Sequence, residues 1–218
     1  MNADKTLIKL PFMGFYNSLL DSEIDSSISS MAEWQAENEG GIPAEEYSDF
    51  LYRFADFSKC HKTIATAYVD HFANLISEHL ELDGGLELEF ESLESPREYN
   101  FTTDSIFAYI PEKQAAELFD YVDAISLQET INVHLKSRPG FISFYYEFVD
   151  EWKEKPLNLW DCNELSMILY AIVDEIEEFD LAIYYRMNEA VYMAFENCVD
   201  WQKLEEAVNE YKTENEEN

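Results

Sequence analysis

Basic residues are scarce in this chain. Its 218 residues include 14 Lys and Arg against 46 Asp and Glu, a formal net charge of -32. That balance excludes a surface built to grip phosphates, so direct contact with nucleic acid or with an anionic membrane is not expected. Glycine is scarce as well, with 6 in the chain, which leaves little material for phosphate-cradling loops. No GxxxxGK[ST], GxGxxG or GxSxG motif occurs. The three cysteines, Cys60, Cys162 and Cys198, are odd in number, far apart and without CxxC spacing. They suit a reducing compartment and argue against a disulfide framework. No apolar run approaches the roughly 18 residues of a membrane span. The opening "MNADKTLIKLPFMGFY" lacks the basic-then-apolar order of a secretory signal. The expectation is a cytoplasmic protein of a bacterial host cell, with no membrane association.

Core-forming material is plentiful. Apolar residues make up 47% and aromatics 15% of the chain, too much for an acidic disordered tail. "LIKLPF" reads as a short strand stopped by Pro11. Helical spacing over 16–38 uses Leu19, Leu20, Ile24, Ile28, Met31 and Trp34 as its apolar positions. A short helix follows over 44–57, then an amphipathic one over 63–80, with Ser58 a candidate cap and Gly84-Gly85 its end. "LELEFESLE" and "YNFTTDSIFAYI" read as an antiparallel pair, a β-hairpin near 86–110. Pro111 stands where a helix can start. "SLQE" at 126–129 has capping-box form, "FISFYYEFVDEW" fits strand first and helix after, and Asp161 with Glu164 caps a further helix. Asp180 restarts the chain into two more helical segments, with "TENEEN" frayed at the end. The fold class is α+β, mainly helical with a small antiparallel β-sheet. The best candidate boundary, Lys155-Pro156, separates a mixed part (1–155) from a helical part (156–218) packed with it as one unit.

The acidic residues lie inside these elements. No Lys or Arg falls between Lys9 and Arg53, or between Lys62 and Arg97, and only Arg186 falls between Lys155 and Lys203. Three patches stand out: Glu87, Glu89 and Glu91 alternating on the hairpin; Asp174, Glu175, Glu177 and Glu178 at a helix end; and Asp21, Glu23 and Asp25 near the start of a helix. Carboxylates repeating at about 6.6 Å on a strand or about 5–6 Å on a helix approach the charge spacing of a nucleic-acid strand, one phosphate per about 3.4 Å of axis. Taken alone, the hairpin run is the solvated face of an edge strand. That reading leaves the net charge unexplained. Halophilic adaptation would explain acidity globally, but Glu outnumbers Asp and large apolar residues are abundant.

Catalytic signatures are missing. His71 and His79 sit two turns apart on one helix, too far to share a metal unaided, and no HExxH or zinc spacing occurs. Cys60 and His61 diverge as helix neighbours and make no nucleophile–base pair. Carboxylate pairs arise by chance in so acidic a chain and do not mark acid–base chemistry. No cofactor and no metal are expected, and the chain does not read as an enzyme. The cluster in "FISFYYEF" and Tyr184, Tyr185 and Tyr192 read chiefly as core, with some available as interface anchors.

The stretches "SPREYNFTTDSIFAYI", "SRPGFISFYYEFVDEW" and "KPLNLWDCNEL" resemble a family of uncharacterised proteins from phages and mobile genetic elements, over residues 90–165. That resemblance implies no activity and no site residue. In charge and size the chain is also similar, as a class, to the acidic DNA mimics that block restriction enzymes or CRISPR complexes. Together these suggest an inhibitor that occupies the DNA- or RNA-binding groove of a host defence protein, a basic nucleic-acid-binding partner. An acidic adaptor that binds a basic protein without mimicry is the first alternative. A metal-dependent hydrolase is the second.

Overall fold

The computed structural model describes residues 5–10, 14–38, 41–91, 106–122 and 162–216. Among them are seven α-helices and one three-stranded antiparallel sheet, an α+β fold dominated by helix. The capping box at 126–129, the ambiguous 141–152 segment, Asp161 and the Lys155-Pro156 boundary lie outside the described residues. The chain divides into two compact units interleaved in sequence.

The first unit draws on Met1–Phe12, Tyr68–Leu93 and Ser105–Ile183. Its sheet has the order β1 (Lys5–Lys9), β3 (Phe107–Pro111), β2 (Glu89–Phe90). β1 runs antiparallel to β3 with Leu7 opposite Tyr109 and Ile8 opposite Ala108, and β2 flanks the other edge with Glu89 opposite Tyr109. Alternation sends Ile8, Ala108 and Ile110 inward, all essentially buried. Helices α4 (Glu112–Leu118) and α5 (Cys162–Glu175) pack beside β1. Ile168, Leu169 and Ile172 of α5 are buried in this core. The second half of α3 (Phe57–His79) contributes Tyr68, Phe72 and Ile76. Phe72 meets Phe179 edge-on at 5.8 Å between ring centroids.

Of the hairpin expected over 86–110, residues 92–105 lie outside the described residues; where the two runs are described, β2 pairs antiparallel with β3. Among the described residues Glu89 and Phe90 form the strand, and the Glu91 N–H continues the pairing to the Phe107 carbonyl at 2.9 Å. The backbone N–H of Leu86 donates to Ser77 Oγ at 2.7 Å, and that of Glu87 donates to Gln114 Oε1 at 2.8 Å. Gln114 Nε2 donates back to the Gly85 carbonyl. Side chains of α3 and α4 therefore claim the groups that a longer ladder would need. The helix end also differs. α3 stops before the glycines, in a Schellman turn where Leu82 N–H bonds the Ser77 carbonyl and Glu81 N–H the Glu78 carbonyl. Glu81 holds the left-handed position at φ 52°.

The second unit draws on Met13–Ala67 and Tyr184–Asn218. α1 (Gly14–Asn38) packs on α2 (Ala44–Phe54), and α7 (Trp201–Glu216) packs on α2. α6 (Phe179–Glu196) begins in the first unit and continues here. An isolated bridge between Ala55 and Val199 ties the α2–α3 connection to the α6–α7 connection. Asp56 N–H bonds the Cys198 carbonyl and Asp200 N–H the Phe54 carbonyl beside it. Asp56, not Ser58, caps α3, accepting from Lys59 N–H at 3.1 Å. Asp200 caps α7 in the same way through Lys203 N–H. Gly41 has φ +83°, and a Cβ there would meet the end of the Lys212 side chain of α7 at 2.9 Å. Residues 213–216, expected to fray, continue α7.

Candidate functional site

Among the described residues, the expected acidic positions of the first unit fall in two places. On the outer face of the sheet, Glu89 is exposed and pairs with Lys5, which reaches it from β1 across β3. Glu91 accepts a hydrogen bond from the Tyr109 hydroxyl, which raises the tyrosine pKa. Glu87 is exposed and precedes the strand. The hairpin carboxylates are therefore not one uniform row: one faces a cation, one a hydroxyl, and one leaves from a loop.

The second part is a corner of helix ends. His79 Nε2 lies 4.0 Å from Glu175 Oε2, bringing the last turns of α3 and α5 together. Glu78, Glu81 and Asp83 are exposed on the α3 side, and Asp174, Glu175, Glu177 and Glu178 on the α5 side. α5 has no basic residue in its last turn. Its carboxylates thus crowd the end of the helix that already carries partial negative charge. Glu178 takes a left-handed conformation at φ 56°, like Glu81. Glycine suits such positions far better. Both helix ends hold an acid where the backbone favours no side chain at all. A small cleft of about 240 Å³ beside this corner is lined by Glu81, Asp83 and Glu117 together with Gln114 and Tyr121.

In the second unit, Asp25 is exposed on α1 and accepts from the Tyr52 hydroxyl at 2.5 Å. Burial and Asp25 together push the Tyr52 phenol up to about 12. Glu23 is half-buried and accepts from the Tyr184 hydroxyl at 3.3 Å. Asp21 belongs to α1 by its backbone, and its side chain lies outside the described residues. Tyrosine thus serves three of these carboxylates, Glu91, Asp25 and Glu23. A phenol donates a hydrogen bond without bringing a positive charge. It satisfies an oxygen and leaves the negative charge in place. The chain has 14 tyrosines, as many as Lys and Arg together.

An exposed row that base-free windows do not reveal is Glu206, Glu210 and Glu214 on α7. Lys203 and Lys212 interrupt that stretch, so it formed no base-free window. The four-residue spacing was the available signal, since it places all three on one helical face. Trp34, expected among the apolar positions of α1, lies outside its buried stripe. The buried stripe of α1 is Ile24, Ile28, Ala32 and Gln35, and Trp34 is 58% exposed. On α6 the buried face is Ile183, Met187, Val191 and Phe195, which turns Tyr185 and Tyr192 outward. Trp34, Tyr192 and Trp201 line a groove of about 430 Å³ with Glu196 and the buried Gln35.

The two core cysteines of this unit are adjacent in space. The Cys60 and Cys198 thiols hydrogen-bond each other, and burial pushes Cys60 up to about 12. Such a thiol is held protonated and is a poor nucleophile. Among the described residues no group of three or more His, Cys, Asp or Glu side chains converges as metal ligands do, and no helix is long and apolar enough to cross a membrane.

No family model, curated protein or solved structure matches the chain. The arrangement can offer ordered, outward carboxylates to a cationic surface, with exposed aromatic rings available for contact at short range.

Proposed function

We propose that the protein is an acidic nucleic-acid mimic, of phage or mobile-element origin, that blocks the DNA- or RNA-binding groove of a host defence protein such as a restriction, CRISPR or other nuclease system. It acts by stoichiometric occupation and not by catalysis. The observation that carries this reading is the placement of exposed carboxylates on ordered helix ends and faces, while Glu23, Asp25 and Glu91 take tyrosine hydroxyls that leave their charge intact. If each of the 14 Lys and Arg held one carboxylate, 32 would still have no such partner. A partner's Lys and Arg, which normally bind phosphates, would meet fixed carboxylates at helical spacing, and counterions would be released on both sides. The self-repulsion of so many charges opposes folding, so their retention favours a cationic partner as the reason for them.

The test is capture from a lysate of a defence-competent bacterium at low and high salt, with duplex DNA as competitor. The expected result is a nucleic-acid-binding protein that is retained at low salt, released by salt and displaced by DNA. A partner indifferent to both salt and DNA overturns mimicry. That second outcome is the adaptor reading, and the exposed rings of Trp34, Tyr192 and Trp201 are what favour it.

A further inference from the structure

The groove between α1, α6 and the start of α7 combines two features that select for one chemistry. Its walls are aromatic: Trp34 is 58%, Tyr192 43% and Trp201 42% exposed, and Tyr47 lies behind them, buried. Its rim is acidic. Glu196 lines it directly. Residues three or four apart on a helix are surface neighbours, and each exposed ring has a carboxylate at that spacing. Glu37 follows Trp34, Glu189 precedes Tyr192, and Glu205 follows Trp201, all of them exposed. No Lys or Arg occupies a position three or four away from these three rings, though Lys59 of α3 reaches the Asn197 carbonyl at 3.0 Å. The Trp201 indole N–H is already committed to the Glu196 carbonyl at 2.9 Å, which fixes that ring at the groove edge.

An anionic ligand such as a nucleotide would stack on the rings but meet the acidic rim. A neutral apolar ligand would gain nothing from the rim. A cation with a flat or apolar stem gains from both, through the ring quadrupoles and through the carboxylates. Guanidinium meets this description best, because it is planar, weakly hydrated and stacks on aromatic faces.

We propose that the groove is an arginine-binding cage, which seats an arginine side chain of the basic partner between Trp34, Tyr192 and Trp201. The inference rests on the reading of the protein as a binder of basic proteins and names where short-range affinity arises. Long-range attraction raises encounter rate more than affinity, and a desolvated aromatic–arginine anchor supplies what it lacks.

The experiment titrates the purified full chain with an oligo-arginine peptide and with an oligo-lysine peptide of equal length, at physiological salt. Wild type is expected to bind the arginine peptide more tightly. The Trp34→Ala/Trp201→Ala double variant loses about tenfold in arginine-peptide affinity and little for the lysine peptide. Its salt dependence matches wild type, because no charge has been removed. A Trp34→Phe/Trp201→Phe variant, which keeps an aromatic face of smaller area, falls between the two. Equal wild-type affinity for both peptides overturns the cage, as does an unchanged arginine affinity in a double variant whose circular dichroism matches wild type. A cage that fails while salt and duplex DNA still displace the natural partner leaves mimicry standing. A cage that holds while DNA displaces nothing removes mimicry and keeps the binding site.

Discussion

The helix-end corner of the first unit and the aromatic groove of the second are both acidic, and they are built in opposite ways. At the corner, carboxylates crowd two helix C-termini, two of them from left-handed residues, with His79 set among them. The core beneath is closed, and Phe179, which follows Glu178, is buried against Phe72. At the groove, carboxylates stand one helical turn from exposed rings. The corner offers a dense field beside a small, mostly polar cleft, whereas the groove sets its carboxylates around a wall of exposed rings. A field acts over a Debye length of about 8 Å at physiological salt, whereas ring contact acts only on touching. The difference separates steering from holding: the corner suits capture, and the groove suits retention.

The largest perturbation of the comparison is to remove the support of one side. Phe72→Ala takes away the ring beneath Phe179 and is expected to cost about 3–5 kcal/mol, read as a lower urea midpoint. Leu51→Ala, at a fully buried position of α2, is the matching change near the groove and should cost about 2–5 kcal/mol. If either variant unfolds with wild-type stability, the core assigned to that unit is wrong.

Alkaline pH tests the second unit next. The Cys60 thiol is pushed up from 9.0 to about 12 by burial, and the Tyr52 phenol from 10.0 to about 12 by burial and Asp25. In both cases the native state keeps its proton where the unfolded chain has lost it. Stability from these groups is present below the unfolded values and disappears as pH rises through about 9 to 12. A thermal midpoint that falls across this window, and less steeply in Tyr52→Phe, is the expected outcome. Alkylation of Cys60 at pH 8 should be slow in the native protein and fast once it is unfolded.

A smaller effect sharpens the corner. Glu178→Gly relieves a left-handed backbone and a crowded charge together, and should stabilise by about 1 kcal/mol after the entropy of glycine is discounted. Glu178→Gln relieves only the charge and should gain less. If Gln matches Gly in a denaturation experiment, crowding and not backbone conformation dominates there. Both changes should weaken capture of the natural partner at low salt if the corner steers it.

Periodicity made much of this legible. The 3.6-residue pattern found α1, the latter part of α3, α5, α6 and α7, because each buries a stripe that must repeat at that spacing. The alternation in 86–94 found the right partner strand, but at Leu86 and Glu87 the ladder gives way, because Ser77 of α3 and Gln114 of α4 accept their backbone N–H groups. The third strand, β1 against β3, rests on pairing across a long separation that no local pattern encodes. The candidate carboxylates were visible as base-free windows. The α7 row was hidden by two lysines, and Trp34 was counted as core because its stripe could be drawn through either Trp34 or Ala32 and Gln35.

By itself the sequence determined the charge, the abundance of core-forming residues and the helical content, since these depend on composition and on local spacing. Only the tertiary structure decided which carboxylates gather at one corner, which receive a tyrosine hydroxyl, that Cys60 meets Cys198, and which aromatic rings stay outside to frame a groove. Those outcomes depend on which faces of separate helices meet, and that is settled by packing between segments far apart in the chain.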